Sequence, residues 1–248
     1  MKNITVEICC GSAADVFEAA RAGANRVELN CALFLGGLTP SIGQMIAARE
    51  AEIGIFTMIR PREGGFCYSE TEFATMTHDV SRLLEAGADG IVFGILNADG
   101  SVDEERCARL IEAAAGAPAV FHRAFDVTPD WRRSLDTLCR LGFVRVLTSG
   151  QAPSADMGAA LIREMVDYAE GRIEILPGAG IRAYNAADIL NRTNCNQVHV
   201  SLRTLQTDSS CCAHPEIHFG GALYQNEQNY GVTDANAVKN FVKTINDF

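Results

Sequence analysis

Short apolar runs alternate with longer amphipathic segments along this chain, and the alternation repeats eight times. Strand-like runs fall at 4–8, 26–30, 55–60, 90–94, 119–124, 145–149, 173–176 and 197–201. Between them, apolar residues recur at helical spacing. Examples are Phe73, Met76, Val80, Leu83 and Leu84, then Leu135, Leu138 and Leu141, then Leu161, Met165 and Tyr168. A final helix is expected to begin near Thr233 and to carry Val238, Phe241, Val242 and Ile245. Ser12 with Asp15, Ser69 with Glu72, and Ser101 with Glu104 have capping-box spacing at helix starts. Thr39-Pro40 and Thr128-Pro129 fit an N-cap followed by a first-turn proline. Four joints repeat one device: Gly23, Gly87, Gly142 or Asn194 closes a helix, and a strand-like run follows. Glycine and asparagine tolerate the left-handed backbone that such a closure needs. Repeated joints of this kind predict parallel strands laid side by side.

Eight units within 248 residues predict a single-domain α/β fold, a (β/α)8 TIM barrel over residues 1–248. An open doubly wound sheet fits less well. Its first strand would lead into a glycine fingerprint, whereas this one leads into Cys9-Cys10-Gly11-Ser12. Residues 202–232 carry few helix signals and are expected to form a long irregular loop before the final helix. Loops of that length in compact domains tend to be functional or mobile.

Barrel strands are covered outside by helices, and side chains alternate between faces. Placing the apolar residues outside turns Glu7, Glu28, Asn30, Arg60, His122, Thr148, His199 and Ser201 inward, near the carboxyl ends of their strands. Charges there are costly unless paired. A structural ion-pair network, with Glu7 or Glu28 against Arg60, is one reading. A functional pocket at the barrel mouth is the other, and the two are compatible. In the functional reading Glu7, Glu28 and His122 are the acid–base candidates, with Asp126 orienting His122. Arg60 and Arg62 would clamp an anion. Gly178 and Gly180, in Pro177-Gly178-Ala179-Gly180, would cradle a phosphate beside Ser201. Arg123 breaks the alternation and is expected past its strand end, reaching a loop carboxylate.

The net charge of -10 argues against duplex nucleic acid and anionic membranes as partners. No apolar run is long enough to span a bilayer, and the N-terminus enters a strand pattern with no secretory core. A homo-oligomer is left open. Nine scattered cysteines read as reduced thiols and point to the cytoplasm. Cys9, Cys10, Cys31 and Cys67 follow the first three strands and should meet in one quadrant of the mouth. Cys211, Cys212, His214 and His218 would approach the same rim. Soft thiolates select Cu(I) or zinc, although no pair has Cys-x-x-Cys spacing.

Several motifs occur together in one order. The first are Glu7-Ile8-Cys9, Gly36-Gly37-Leu38-Thr39-Pro40-Ser41, Met58-Ile59-Arg60-Pro61-Arg62 and Phe66-Cys67-Tyr68-Ser69. Gly90-Ile91-Val92-Phe93-Gly94, Phe121-His122-Arg123-Ala124-Phe125-Asp126, residues 145–150 and Pro177-Gly178-Ala179-Gly180 follow, up to about Ser201. In this order they resemble the CutC family of copper homeostasis proteins, and the resemblance implies a (β/α)8 barrel, a cytoplasmic location and a role in copper handling. Cys9 would then be the leading Cu(I) ligand, with Cys31 or Cys67 as partners. Family members often carry Glu-Leu-Cys after strand two. Here Asn30 holds that place and Cys31 comes next, which turns the thiol to the other face of a regular strand. Two further readings accompany this one. One is an enzyme acting on a small anionic or phosphorylated molecule. The other is a scaffold that interacts through residues 202–232.

Overall fold

Alternation of apolar and polar residues gives eight parallel strands, as expected from sequence. The computed structural model describes residues 4–220 and 227–248. The strands are β1 (Thr5–Cys10), β2 (Arg26–Leu29), β3 (Gly54–Met58), β4 (Gly90–Phe93), β5 (Ala119–Phe121), β6 (Arg145–Thr148), β7 (Glu174–Pro177) and β8 (Gln197–Val200). Helices cross between them: α1 (Ala13–Arg21), α2 (Ile42–Arg49), α3 (Glu70–Glu85), α4 (Glu104–Ala113), α5 (Trp131–Leu141), α6 (Ala159–Ala169) and α7 (Ala186–Thr193). The last helix, α8 (Ala235–Asn246), packs against α1. The ladder runs β7-β6-β5-β4-β3-β2-β1-β8, parallel throughout. This is a (β/α)8 barrel.

The cylinder closes less completely than the repeat predicts. Among the described residues no backbone ladder joins β7 to β8, although the two strands lie side by side. The Gln197 side chain crosses the gap instead, with Nε2 3.4 Å from the Ile175 carbonyl and 3.4 Å from Glu174 Oε2.

Two cores result from the alternation. Val6, Ile8, Val27, Leu29, Ile55 and Val198 face the helices and join the large apolar layer between sheet and helices. Inside the barrel, Met58, Val92 and Val120 form a small separate cluster with Phe56. The interior beside β8, β1 and β2 is polar: Glu7, Glu28, Gln197 and His199 are all buried there. The parallel register decides which of these groups meet. Glu7 pairs with His199 across β1–β8, and Cys9 pairs with Glu28 across β1–β2.

Helix starts follow local capping chemistry, with shifts from the sequence expectation. Ser12 caps α1, and Ser69 with Glu72 closes a full capping box on α3. Three helices begin later than expected: Ser41, Asp103 and Asp130 cap α2, α4 and α5. Each accepts the amide three residues on, an acceptor geometry that a Thr-Pro pair or Ser101 does not supply at that place.

The connection after β8 is irregular over residues 208–220, but its two ends are ordered. β9 (Arg203–Thr207) pairs antiparallel with β10 (Asn229–Thr233). β9 is exposed over most of its length and β10 is mostly half-buried, so the ribbon has little apolar periodicity to betray it. Buried Asp15 anchors it by accepting from the Thr233 amide at 2.6 Å and Arg203 Nη1 at 3.4 Å, while also holding the Gly11 amide.

Candidate functional site

β1 brings Glu7 into the barrel between two cations. Its carboxylate accepts from Arg26 Nε on β2, and its other oxygen lies 2.8 Å from His199 Nδ1 on β8. Arg26 also donates to Gln197 at 2.7 Å, and Arg145 from β6 stands 3.9 Å away from the same carboxylate. Burial alone would raise the pKa of this carboxyl. The hydrogen bond and charge of His199, together with Arg26, outweigh it and hold the carboxyl down at about 2. Glu7 is therefore an ionised anchor. The ion-pair reading of the inward charges is correct in kind, but Arg26 and Arg145 make the pairs. Sequence reasoning passed over those two arginines and Gln197, although each lies on a barrel strand, Arg145 and Gln197 buried and Arg26 half-buried, and its polar type there was the available signal.

One step further toward the mouth, Cys9 Sγ, a Glu28 oxygen and a His199 nitrogen all lie within 4.8 Å of one another. Cys9 Sγ is 3.9 Å from Glu28 Oε1. Because Glu7 occupies Nδ1 of His199, Nε2 is the ring atom left for a ligand. A carboxylate behind a metal-binding imidazole fixes its tautomer and orientation. Asn30 completes the group, with Nδ2 3.0 Å from Glu28 Oε1 and 3.6 Å from Cys9 Sγ. Its Oδ1 is buried with no partner. Burial raises the Cys9 thiol and the Glu28 carboxyl above their ordinary values. Burial disfavours the charged form of His199, yet Glu28, Cys9 and Glu7 together lift its pKa well above the usual imidazole range.

Thiolate and imidazole are donors that suit copper and zinc, and a carboxylate is the harder third member. The residues present thus fit a soft or borderline cation. Asn30 faces Cys9, as the strand period requires. Cys31 does not join the group: its Sγ lies 3.1 Å from the Thr39 carbonyl. Cys67 is exposed on the loop after β3. Of the three metal-ligand candidates, Cys9 alone belongs to the donor group, and its partners are Glu28 and His199. His199 was recognised from sequence as inward-facing, but its role needed the closure of β8 onto β1.

His122 sits at the end of β5, packed between Phe66 and Phe121. Its Nδ1 accepts the Ala124 amide at 3.2 Å, and its Nε2 is buried without a partner. Burial, aided by the Arg60 charge, depresses its pKa to about 3. The expected His122–Asp126 pair is not formed. Asp126 instead accepts from Thr148 Oγ1 at 2.5 Å, the Ser149 and Gln151 amides, and Arg123 Nε. It pins the loop after β6 in place. Arg123 lies past the strand end and reaches that carboxylate, as expected.

The two arginines of the proposed clamp are turned to other work. Arg60 donates to the carbonyls of Leu35, Gly37 and Gly64. Arg62 pairs with Glu72 and donates to the carbonyls of Glu63, Gly65 and Cys67. Both fasten loops, and four of the five Arg62 donors are already committed, its charge being paired with Glu72. Gly178 lies tight against the barrel interior, where a Cβ would come within 2.7 Å of Leu147. Gly180 has φ +72°, in the left-handed region. Both glycines therefore have packing or backbone reasons to be there. Ser201 follows β8, half-buried. Cys211, Cys212, His214 and His218 lie in the irregular connection and form no metal-holding group among the described residues.

A cavity of about 560 Å³ opens near Glu174, Ile175, Cys195 and Gln197, at the amino ends of β7 and β8. It lies where the ladder is missing, at the end of a barrel that serves stability rather than chemistry. No helix among the described residues is long and apolar enough to cross a membrane.

Comparison with known proteins agrees with this picture. The family model described as the CutC family matches residues 4–204. A CutC family protein of Treponema denticola is 47% identical over 99% of this chain and 100% of its own length. The copper homeostasis protein cutC homolog of Mus musculus is 39% identical over 94% of this chain and 86% of its own. Among solved structures, a CutC copper homeostasis protein of Streptococcus agalactiae aligns with TM-score 0.76 at 38% identity, covering 79% of this chain and 97% of that one. Thiamine phosphate pyrophosphorylase from Pyrococcus furiosus, at 13% identity and TM-score 0.58 over 99% of this chain and 97% of that one, shares the fold alone.

Proposed function

Because the chain belongs to the CutC family, we propose that it handles copper, taking up Cu(I) as cargo through Cys9 and His199. Glu28 stands beside them as a third donor. Glu7 holds the imidazole so that Nε2 faces the ion, and Asn30 steadies Glu28. The observation that carries this reading is the buried convergence of three donor atoms within 4.8 Å. Bound copper would supply no chemistry of its own here; the protein's work is capture and shielding. Nine unpaired cysteines suit a reducing compartment, and the cytoplasm is the location that keeps the Cys9 thiol available.

The test is anaerobic loading with Cu(I), in competition with a Cu(I)-selective chelator, followed by metal analysis. The wild-type chain should retain the ion and Cys9→Ser should lose it. Zn(II), run in parallel, should bind more weakly if the thiolate and imidazole dominate. Equal Cu(I) retention by the Cys9→Ser variant would place the site elsewhere.

A further inference from the structure

Three hydrogen-bond donors near the carboxyl ends of β3 and β5 make no hydrogen bond of good geometry within the protein: Nε of Arg60, the hydroxyl of Tyr68 and Nε2 of His122. Their residues are only 7%, 4% and 4% exposed. Buried polar atoms are almost always paired, and each exception asks for a reason. Here three exceptions gather in one place. The Arg60 guanidinium carbon is 5.3 Å from the centre of the Phe66 ring, and the His122 ring is 4.9 Å from the same centre. Tyr68 follows two residues after Phe66 on one loop, and its hydroxyl is close enough to Arg60 to interact with it, but not in the alignment of a hydrogen bond.

The chemistry of the three is one-sided. A guanidinium has no acceptor. His122 Nδ1 already accepts the Ala124 amide, so the ring proton is on Nε2. The Tyr68 hydroxyl is free to turn its hydrogen toward its neighbours. The occupant that satisfies this set must present acceptor oxygens. Charge narrows it further. Arg60 bonds only to neutral carbonyls and makes no ion pair among the described residues, whereas Arg62 is paired with Glu72. A buried cation without a counter-charge is costly. One positive charge matches a singly charged group better than a dianion. The flat Phe66 ring beside it offers a surface to an organic body.

We infer that Arg60, Tyr68 and His122 form a pocket for the carboxylate group of a small organic acid. It is a different set of side chains from the copper donors, and it does not depend on them. Arg60 keeps its loop-fastening bonds and adds Nε to the acid, while Tyr68 and His122 complete the cradle.

The experiment is titration calorimetry and thermal melting of the whole chain at pH 7. The probes are acetate, pyruvate and succinate, with inorganic phosphate for comparison, at constant ionic strength. At least one carboxylate should bind saturably and raise the melting temperature. Tyr68→Phe should weaken that binding by about tenfold, the usual loss for a hydrogen bond to a charged group. The same variant should be about as stable without the acid, since the lost hydroxyl makes no well-aligned hydrogen bond within the protein. A second readout is NMR of ¹⁵N-labelled histidine. The Nε2–H signal of His122, assigned with His122→Phe, should move as pyruvate is added. The inference is overturned by no saturable binding of any carboxylate, by equal binding in Tyr68→Phe, by tighter binding of phosphate than of every carboxylate, or by an unmoved His122 signal.

Discussion

His199 Nδ1 lies 2.8 Å from the Glu7 carboxylate, joining residues 192 positions apart across the seam where β8 meets β1. This contact links the structural charges inside the barrel to the donor group at its mouth. The Glu7 oxygens bind Arg26 on one side and His199 on the other, and His199 then faces Cys9 and Glu28.

Glu7→Gln removes the charge and keeps the shape. It leaves Arg26 and His199 without their buried counter-ion, and breaking a buried pair in this way costs about 3–5 kcal/mol. Urea unfolding should show that loss. Cu(I) affinity should also fall by about 10–100-fold, as is usual when the group behind a metal-binding imidazole is removed. A variant as stable as the wild type would mean that Glu7 is not the anchor of the interior.

The thiols should separate cleanly in the Cu(I) competition assay. Cys31→Ser and Cys67→Ser should retain the ion, because neither thiol joins the donor group. His199→Ala should behave like Cys9→Ser and lose it. Retention by His199→Ala together with loss in Cys31→Ser would reverse the ligand assignment.

Asn30→Cys should strengthen Cu(I) binding. The Asn30 amide nitrogen is 3.6 Å from Cys9 Sγ, so a thiol at that position reaches the same ion, and a second soft donor favours Cu(I). Loss of the bond from Asn30 to Glu28 should lower stability by about 1 kcal/mol. Chelator competition reads the first effect and urea melts read the second. Unchanged affinity would show that position 30 faces away from the ion.

Acid should weaken the fold through His122 before it reaches Glu7. Burial, with the Arg60 charge, lowers the folded His122 pKa from 6.5 to about 3. Between those values the unfolded chain binds the extra proton, so this contribution is full above pH 6.5 and is lost as pH falls toward 3. The slope from one such group reaches at most about 1.4 kcal/mol per pH unit. The Glu7 contribution lies lower: its carboxyl is held from 4.5 down to about 2, so it is lost only below pH 4.5. Urea melts between pH 6.5 and 5 should show stability falling with acid in the wild type and a flatter dependence in His122→Phe. The same slope in both would assign the acid sensitivity to another group.

Much of this architecture was legible because local patterns carry it. Gly142 and Asn194 do close their helices in the left-handed region, at φ +88° and +59°. The period of two placed Glu7, Glu28, Asn30, His122 and His199 inside, and all are buried. Local spacing misled wherever several partners competed for one side chain. Asp126 was close enough in sequence to serve His122, but the Thr148–Gln151 loop offers it more donors. Arg62 looked free for an anion, but Glu72 and three carbonyls are nearer. The ribbon of β9 and β10 escaped notice because exposed strands need no apolar alternation.

By itself, then, the sequence determined the eight-fold repeat, the inward polar set and the family, since these depend on the order and period of side chains along one segment. Tertiary structure alone decided which inward residues touch. Curling the sheet until β8 lies beside β1 sets His199 against Glu7 and Cys9, and no spacing along the chain encodes a distance that only the closed ring creates. It also decided that the outward-turned Cys31 would be spent on the Thr39 carbonyl, because that carbonyl is brought to it by the folding of the next loop.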